Sequence, residues 1–261
     1  MKITRKAMAI ILTLALLISC TTVYSFATTE RSWYICRNGN CRPKAPDGYE
    51  EISDLGAYFI DKKLSDSSDD KRLYLTFDAG YENGHIEKIL NTLKEENVPA
   101  AFFLLDNIIL KNTDLVKRMA AEGHLVCNHT KNHKNLSSSS PADIEKDLSA
   151  LESIYESATG NKMAKFFRFP EGKYSREAVE AVNELGYKTV FWSFGYDDWD
   201  NARQPSAEAA VKKILGNTHN GAVILLHPTS STNAEILKGL IGQWRNMGYS
   251  FGTLEELVRD D

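Results

Sequence analysis

From Lys71 to the C-terminus the chain alternates between two patterns. Short apolar and β-branched runs, bounded by turn residues, predict strands at 73–77, 101–105, 125–128, 166–169, 189–193 and 223–227, with a weaker one at 249–251. Between them, amphipathic stretches predict helices near 85–96, 113–122, 141–157, 175–185, 207–215 and 233–247. Pro141 follows a run of four serines, a favourable helix start. Gly123, Gly186 and Gly248 each fall where a helix must stop before the next strand. Repeated β-then-α units mean parallel strands with helices outside. About seven units predict an α/β fold: an open sheet or a (β/α) barrel, whose chemistry sits at the carboxyl ends of the strands.

The polar residues of interest do fall at predicted strand ends. The stretch YLTFDAGYENG, Tyr74 to Gly84, ends an apolar strand on Asp78 and then turns. Asp78 either caps the next helix or is a catalytic group at the rim of the sheet. The third strand runs into Asn128-His129-Thr130-Lys131-Asn132-His133, and the fourth ends at Arg168-Phe169-Pro170-Glu171-Gly172. The fifth leads to Ser193-Phe194-Gly195-Tyr196-Asp197-Asp198-Trp199, and the sixth to His227-Pro228. His129 and His133, four apart, would face the same way on a helical turn, as two ligands of one metal should. Arg168 beside Asp78 would hold the carboxylate ionised and oriented. Asp198, with Asp197 as competitor, would fix the tautomer of His227 and keep it protonated. A base, a two-histidine metal site and a protonated imidazole together match metal-assisted hydrolysis of an acyl group. A backbone N–H near Glu171 would complete the oxyanion site. Glu82 and Asn83 either shape a sugar pocket or serve as cap and turn residues. The sequence holds no G-x-S-x-G elbow, no H-E-x-x-H and no phosphate loop.

Composition narrows the setting. The 261 residues are 43% hydrophobic, enough for one large domain with a sizeable core, and 25% charged. The net charge of −4 comes with no basic stripe, so no nucleic-acid partner is expected, and nothing indicates a protein partner. Residues 1–27 read as a signal peptide: Lys2, Arg5 and Lys6, then an apolar segment too short to span a bilayer, then Ser25-Phe26-Ala27. Leu17-Ile18-Ser19-Cys20 also resembles a lipobox, which would anchor the chain through a lipid on Cys20. Either way the protein is expected to be exported. Residues 28–70 form an N-terminal arm rich in Pro, Gly and charge, ahead of a catalytic domain at 71–258. Cys36 and Cys41 flank a turn containing Asn38-Gly39, and export would permit a disulfide there; two free thiols are the alternative. Cys127 lies in an apolar run and is expected in the core.

The order of these motifs resembles the polysaccharide deacetylase family, carbohydrate esterase family four, over 71–258. The resemblance implies a distorted (β/α) barrel of about seven parallel strands and removal of acetyl groups from chitin, xylan or peptidoglycan with a divalent ion, usually zinc. It implies Asp78 as catalytic base, His129 and His133 as metal ligands, Arg168 as the residue orienting the base, and Asp198 as partner of the catalytic acid His227. The chain departs from the family motif T-F-D-D-G at one place. Ala79 stands where the second Asp ligates the metal, which implies a weaker or different ion. With Gly80-Tyr81-Glu82-Asn83-Gly84, FWSFGYDDWD and LLHPTSSTNAEIL, this loss resembles the branch acting on N-acetylmuramic acid in peptidoglycan. That branch leads to the muramic δ-lactam of spore cortex, after an amidase removes the stem peptide, in the space between forespore and mother cell. Tyr81, Glu82, Asn83, Glu171 and Trp199 are then candidate substrate-contacting residues. The alternatives are a deacetylase of N-acetylglucosamine polymers or xylan, or an inactive glycan-binding homologue.

Overall fold

The computed structural model describes residues 29–259; the segment read as a leader, with Cys20, lies outside them. Twelve strands occur among the described residues: β1 (Arg31–Ser32), β2 (Cys36–Asn38), β3 (Cys41–Lys44), β4 (Ala57–Tyr58), β5 (Arg72–Ala79), β6 (Ala101–Leu104), β7 (Leu125–Asn128), β8 (Phe166–Phe167), β9 (Lys173–Tyr174), β10 (Lys188–Val190), β11 (Ala222–Leu226) and β12 (Ser250–Phe251). The α-helices are α1 (Ile86–Glu95), α2 (Asp106–Lys111), α3 (Thr113–Ala121), α4 (Pro141–Thr159), α5 (Arg176–Glu184), α6 (Ala207–Leu215), α7 (Ser231–Asn246) and α8 (Leu254–Leu257).

Seven parallel strands run in the order β11-β5-β6-β7-β8-β10-β4, and β12 pairs with β5 beside them. Bridges Ile60↔Ala222 and Phe194↔Ile224 carry the far edge back to β11. The sheet therefore curls into a distorted (β/α) barrel. Alternation along the strands sorts the side chains. On β5, Leu73, Leu75 and Phe77 pack outward against the helices, while Tyr74 turns into the barrel with Phe103, Cys127, Phe166 and Val223. Leu254 and Leu257 of α8 join this interior cluster. Cys127 is fully buried in it, and burial pushes its thiol pKa up.

The predicted helices are present with ends shifted by a residue or two. Ser140, Ser175, Ser206 and Ser230 cap α4 to α7 by accepting from a backbone N–H three residues on. Helix α2 was not expected from the pattern; its six residues are too few to show periodicity. The seventh barrel strand also differs. The weak run at 249–251 only flanks β5, and the seventh place is taken by β4, from the segment read as an arm.

That segment is built into the body. Trp33 stacks on Phe191 at 4.2 Å between centroids and packs with Tyr49 and Phe59 in a second core beneath α4 and α5. A two-residue strand carries no alternation, so the pattern alone did not show it. Cys36 and Cys41 on the β2–β3 hairpin are both free thiols. No helix of the described residues is long and apolar enough to cross a membrane.

Candidate active site

Period-two alternation places the strand-end residues. On β5, Tyr74, Thr76 and Asp78 share the inward parity. The same parity gives Cys127 then His129 after β7, Phe166 then Arg168 after β8, and Val223 and Leu225 then His227 after β11. Register brings Asp78 and His227 to one level, with His129 and Arg168 one inward-facing layer above them. Leu226 pairs with Phe77, so His227 follows beside Asp78. Leu104 pairs with Asn128 and Asn128 with Phe167, so His129 and Arg168 both begin one residue above that row. The apolar barrel thus ends in a polar layer at the carboxyl ends of its strands.

Arg168 is fully buried and every bond it makes fixes its direction. Its Nη1 donates to Asp78 Oδ1 at 2.7 Å, Nη2 to Thr76 Oγ1 at 2.9 Å, and Nε to the Val190 carbonyl at 2.9 Å. The guanidinium lies over the Phe103 ring at 4.2 Å. Burial alone would raise the pKa of Asp78, but the Arg168 charge, with His129 and His227 nearby, holds it below the usual carboxylate range. Asp78 is therefore ionised at neutral pH.

A second carboxylate orients the imidazole. Asp198, on the β10–α6 loop, is buried; its Oδ1 accepts from His227 Nδ1 at 2.7 Å and its Oδ2 from the His227 backbone N–H at 2.7 Å. Asn233 Nδ2 donates to the same Oδ2 at 2.6 Å. With Nδ1 committed, His227 Nε2 is the nitrogen left for chemistry. Burial works against the imidazolium, but the hydrogen bond and charge of Asp198, with Asp78 behind, outweigh it and raise the His227 pKa. Asp197 is exposed and makes none of these bonds, so Asp198 is the partner.

His129 Nδ1 donates to the Arg168 carbonyl at 2.8 Å, which leaves its Nε2 lone pair 3.6 Å from Asp78 Oδ2. Burial lowers its pKa to about 4, so the ring is neutral. His133 lies 5.0 Å away between ring centroids. The two rings meet on a loop, not on the helical turn expected from their spacing: Thr130 and His133 have φ of 70° and 61°. Asn128 Oδ1 accepts from the Thr130 N–H, and this Asx turn starts the loop. Two imidazoles suit a divalent ion, but among the described residues no group of three or more His, Cys, Asp or Glu donors is arranged to hold one. Ala79 is fully buried and offers no donor. The histidine pair therefore offers two donors, one fewer than the three protein ligands usual in a catalytic metal site.

Asp78, His129, His133 and His227 line a cleft of about 890 Å³. Tyr81 and Trp199 stand on its rim, 45% and 59% exposed. Glu171 also lines it, on the turn Pro170–Gly172, with φ of 56° and its carboxylate 2.7 Å from Lys173. Glu82 and Asn83 do not line it. The Glu82 carboxylate accepts from the Gly84 and Ile86 N–H groups at the start of α1. Asn83 Nδ2 donates to the Thr229 carbonyl at 2.8 Å and ties two rim loops together. The cap and turn reading of this pair is the one the geometry favours. Sequence reasoning missed the cleft wall made by Tyr34, Ile35 and Arg37. It also missed the supports Thr76 and Asn233. Thr76 was findable, as a polar residue at inward parity two before Asp78.

A (β/α) barrel whose mouth holds a guanidinium-bound carboxylate beside a carboxylate-bound imidazole is laid out as a hydrolase. A family model described as polysaccharide deacetylase matches residues 65–190. The peptidoglycan-N-acetylmuramic acid deacetylase PdaA of Bacillus subtilis is 32% identical over 87% of this chain and 85% of that protein. Its solved structure, a family 4 carbohydrate esterase, superposes with a TM-score of 0.81 at 31% identity, over 87% of this chain and 96% of that one. A peptidoglycan-N-acetylglucosamine deacetylase of Bacillus cereus is 32% identical over 74% of this chain and 90% of that protein. An uncharacterized 30.6 kDa protein of Geobacillus stearothermophilus is 37% identical over 87% and 85%. The chain belongs to the polysaccharide deacetylase family, the family 4 carbohydrate esterases, and is a carbohydrate N-deacetylase. Enzymes of this family are generally metal-dependent.

Proposed function

We propose that the protein is a peptidoglycan deacetylase that removes the acetyl group from N-acetylmuramic acid, on glycan strands freed of stem peptide by an amidase. The observation that carries the mechanism is the pair of oriented couples, Asp78–Arg168 and His227–Asp198, in register on adjacent strands and facing one cleft. The substrate reading rests on likeness to PdaA over most of both chains and on the local motifs around Ala79 and Asp198. The Bacillus cereus relative supports N-acetylglucosamine as the second reading. Peptidoglycan lies outside the cytoplasmic membrane, so the protein acts there, which agrees with its leader. Deacetylation leaves a muramic amine, the group from which the δ-lactam of spore cortex is closed.

In this account Asp78, held ionised by Arg168, takes the proton of the attacking water. His227 Nε2, held protonated by Asp198, gives a proton to the departing amine nitrogen. The turn at Glu171 supplies a backbone N–H to the developing oxyanion. His129 and His133 would hold a divalent ion such as zinc. Such an ion supplies Lewis-acid polarisation of the acetyl carbonyl and lowers the pKa of water, which suits a base as weak as Asp78.

Acetate release from amidase-treated peptidoglycan tests the reading. Turnover should fall in chelator and return with added zinc; release from N-acetylglucosamine oligomers alone would replace it with the second reading. Ala79→Asp should complete the ligand set and tighten zinc binding about tenfold or more in calorimetry. Unchanged affinity would place the ion elsewhere. Asp198→Asn should shift the alkaline limb of the pH–rate profile to lower pH. His227 is an acid only while protonated, its pKa is raised chiefly against burial by Asp198, and the neutral amide removes that charge. An unmoved limb would remove the acid role from His227.

A further inference from the structure

The residues that began as an arm reach the cleft. Tyr34, Ile35 and Arg37 form part of its wall, opposite in chain position from the motifs but on the same cavity. Arg37 donates from Nη2 to the Gly195 carbonyl at 2.7 Å and lies over the Phe194 ring at 5.5 Å. Two residues on, Tyr196 carries a second cation: Lys213 Nζ of α6 lies 5.9 Å from its ring centre. The Phe194 and Tyr196 rings are 6.3 Å apart. Two cations thus sit on neighbouring rings along one wall, and both line the cleft.

Neither is spent. Among the described residues no ion pair joins Arg37 or Lys213 to a carboxylate, although Glu171 and Arg168 in the same mouth are both paired. Asp197 shares the wall without bonding either cation. Cations without partners beside a cleft attract an anionic ligand, and an arginine with free N–H groups suits a carboxylate.

We propose that Arg37 and Lys213 form a specificity subsite for a carboxylate of the substrate. The inference rests on the peptidoglycan reading above and deepens it. A polymer of N-acetylglucosamine offers no carboxylate. Peptidoglycan offers two sources: the lactyl ether of muramic acid once the peptide is gone, or the stem peptide itself.

The test crosses protein charge with substrate charge. Glycan strands are used in three forms: amidase-treated, amidase-treated with the lactyl carboxylate converted to its methylamide, and untreated with peptides attached. Wild type, Arg37→Gln, Lys213→Glu and the double variant Arg37→Gln/Lys213→Gln are compared by KM and kcat for acetate release. The expected result is a KM about tenfold higher for each single variant on the carboxylate substrate, with kcat little changed. The methylamide should cost wild type a similar factor and the double variant nothing more. Because Arg37 also anchors β2 through Gly195, Lys213→Glu, at an exposed position with no such bond, is the independent variant, and Arg37→Lys should recover most of the affinity. A charge-dependent KM on peptide-free strands assigns the lactyl carboxylate; one seen only on peptide-bearing strands assigns the stem peptide, and either supports the subsite. Normal wild-type turnover with KM unmoved in the variants overturns the subsite alone. Wild-type turnover confined to N-acetylglucosamine oligomers overturns the substrate reading and the subsite with it.

Discussion

Asp78→Asn should reduce acetate release to background while the protein still folds. The substitution keeps the shape of the side chain and removes its capacity to take a proton, a function worth about 10²–10⁴ in rate. No neighbouring group can take over. Asp198 favours the protonated form of His227, and in this account the free Nε2 of His129 is the donor that would hold the ion. The fold should persist because Arg168 keeps Thr76, the Val190 carbonyl and the face of Phe103. Its charge is then buried without a counter-charge, so the melting temperature should fall. Circular dichroism with a full-strength spectrum, together with lost turnover, is the expected pair of results. Full activity in Asp78→Asn would remove the base assignment and leave the carboxylate as a structural partner of Arg168.

His227→Ala should cost about 10²–10⁴ in kcat, the usual worth of a positioned acid. The loss should fall on kcat more than on KM, because the proton is needed as the carbon–nitrogen bond breaks and not when substrate binds. The variant should also lose the alkaline limb of the pH–rate profile, which wild type owes to this imidazole. Asp198 would be left buried with only Asn233 and the backbone N–H of residue 227 as donors, so some loss of stability is expected as well. His227→Gln, which still donates a hydrogen bond but carries no acidic proton, separates the two effects: stability should recover while kcat stays low. Recovery of kcat in that variant would mean that His227 positions substrate and transfers no proton.

The barrel was legible in the sequence because its signals are local and repeated. Alternation along β5 and β11, serine caps before α4 to α7 and glycines after three helices all lie within a few residues of the elements they specify. The strand-end rule then picked out Asp78, His129, Arg168, Asp198 and His227, since each polar group ends an apolar run. What escaped was long-range. β4 becomes a barrel strand only by pairing with β10, more than a hundred residues later, and Trp33 finds its place only against Phe191. Arg37 and Lys213 share a wall through Phe194 and Tyr196, a juxtaposition no spacing encodes. The histidine pair was reached by a rule that its backbone does not follow. Spacing of four suggested a helical turn, and a loop with two left-handed residues brings the rings together instead. Glu82, read either as pocket chemistry or as a cap, has its carboxylate bound to the Ile86 N–H at the start of α1.

The central claim is that the oriented Asp78–His227 pair acts on the acetamide of muramic acid. Mass spectrometry of muropeptides from amidase-treated peptidoglycan incubated with the leaderless protein tests it most directly, with Asp78→Asn as control. Tandem fragmentation assigns each lost acetyl group to one sugar. The account predicts loss from muramic acid, none in the Asp78→Asn control, and glucosamine residues that keep their acetyl groups. Acetyl loss confined to glucosamine, or binding of the glycan with no loss at either sugar, would contradict it.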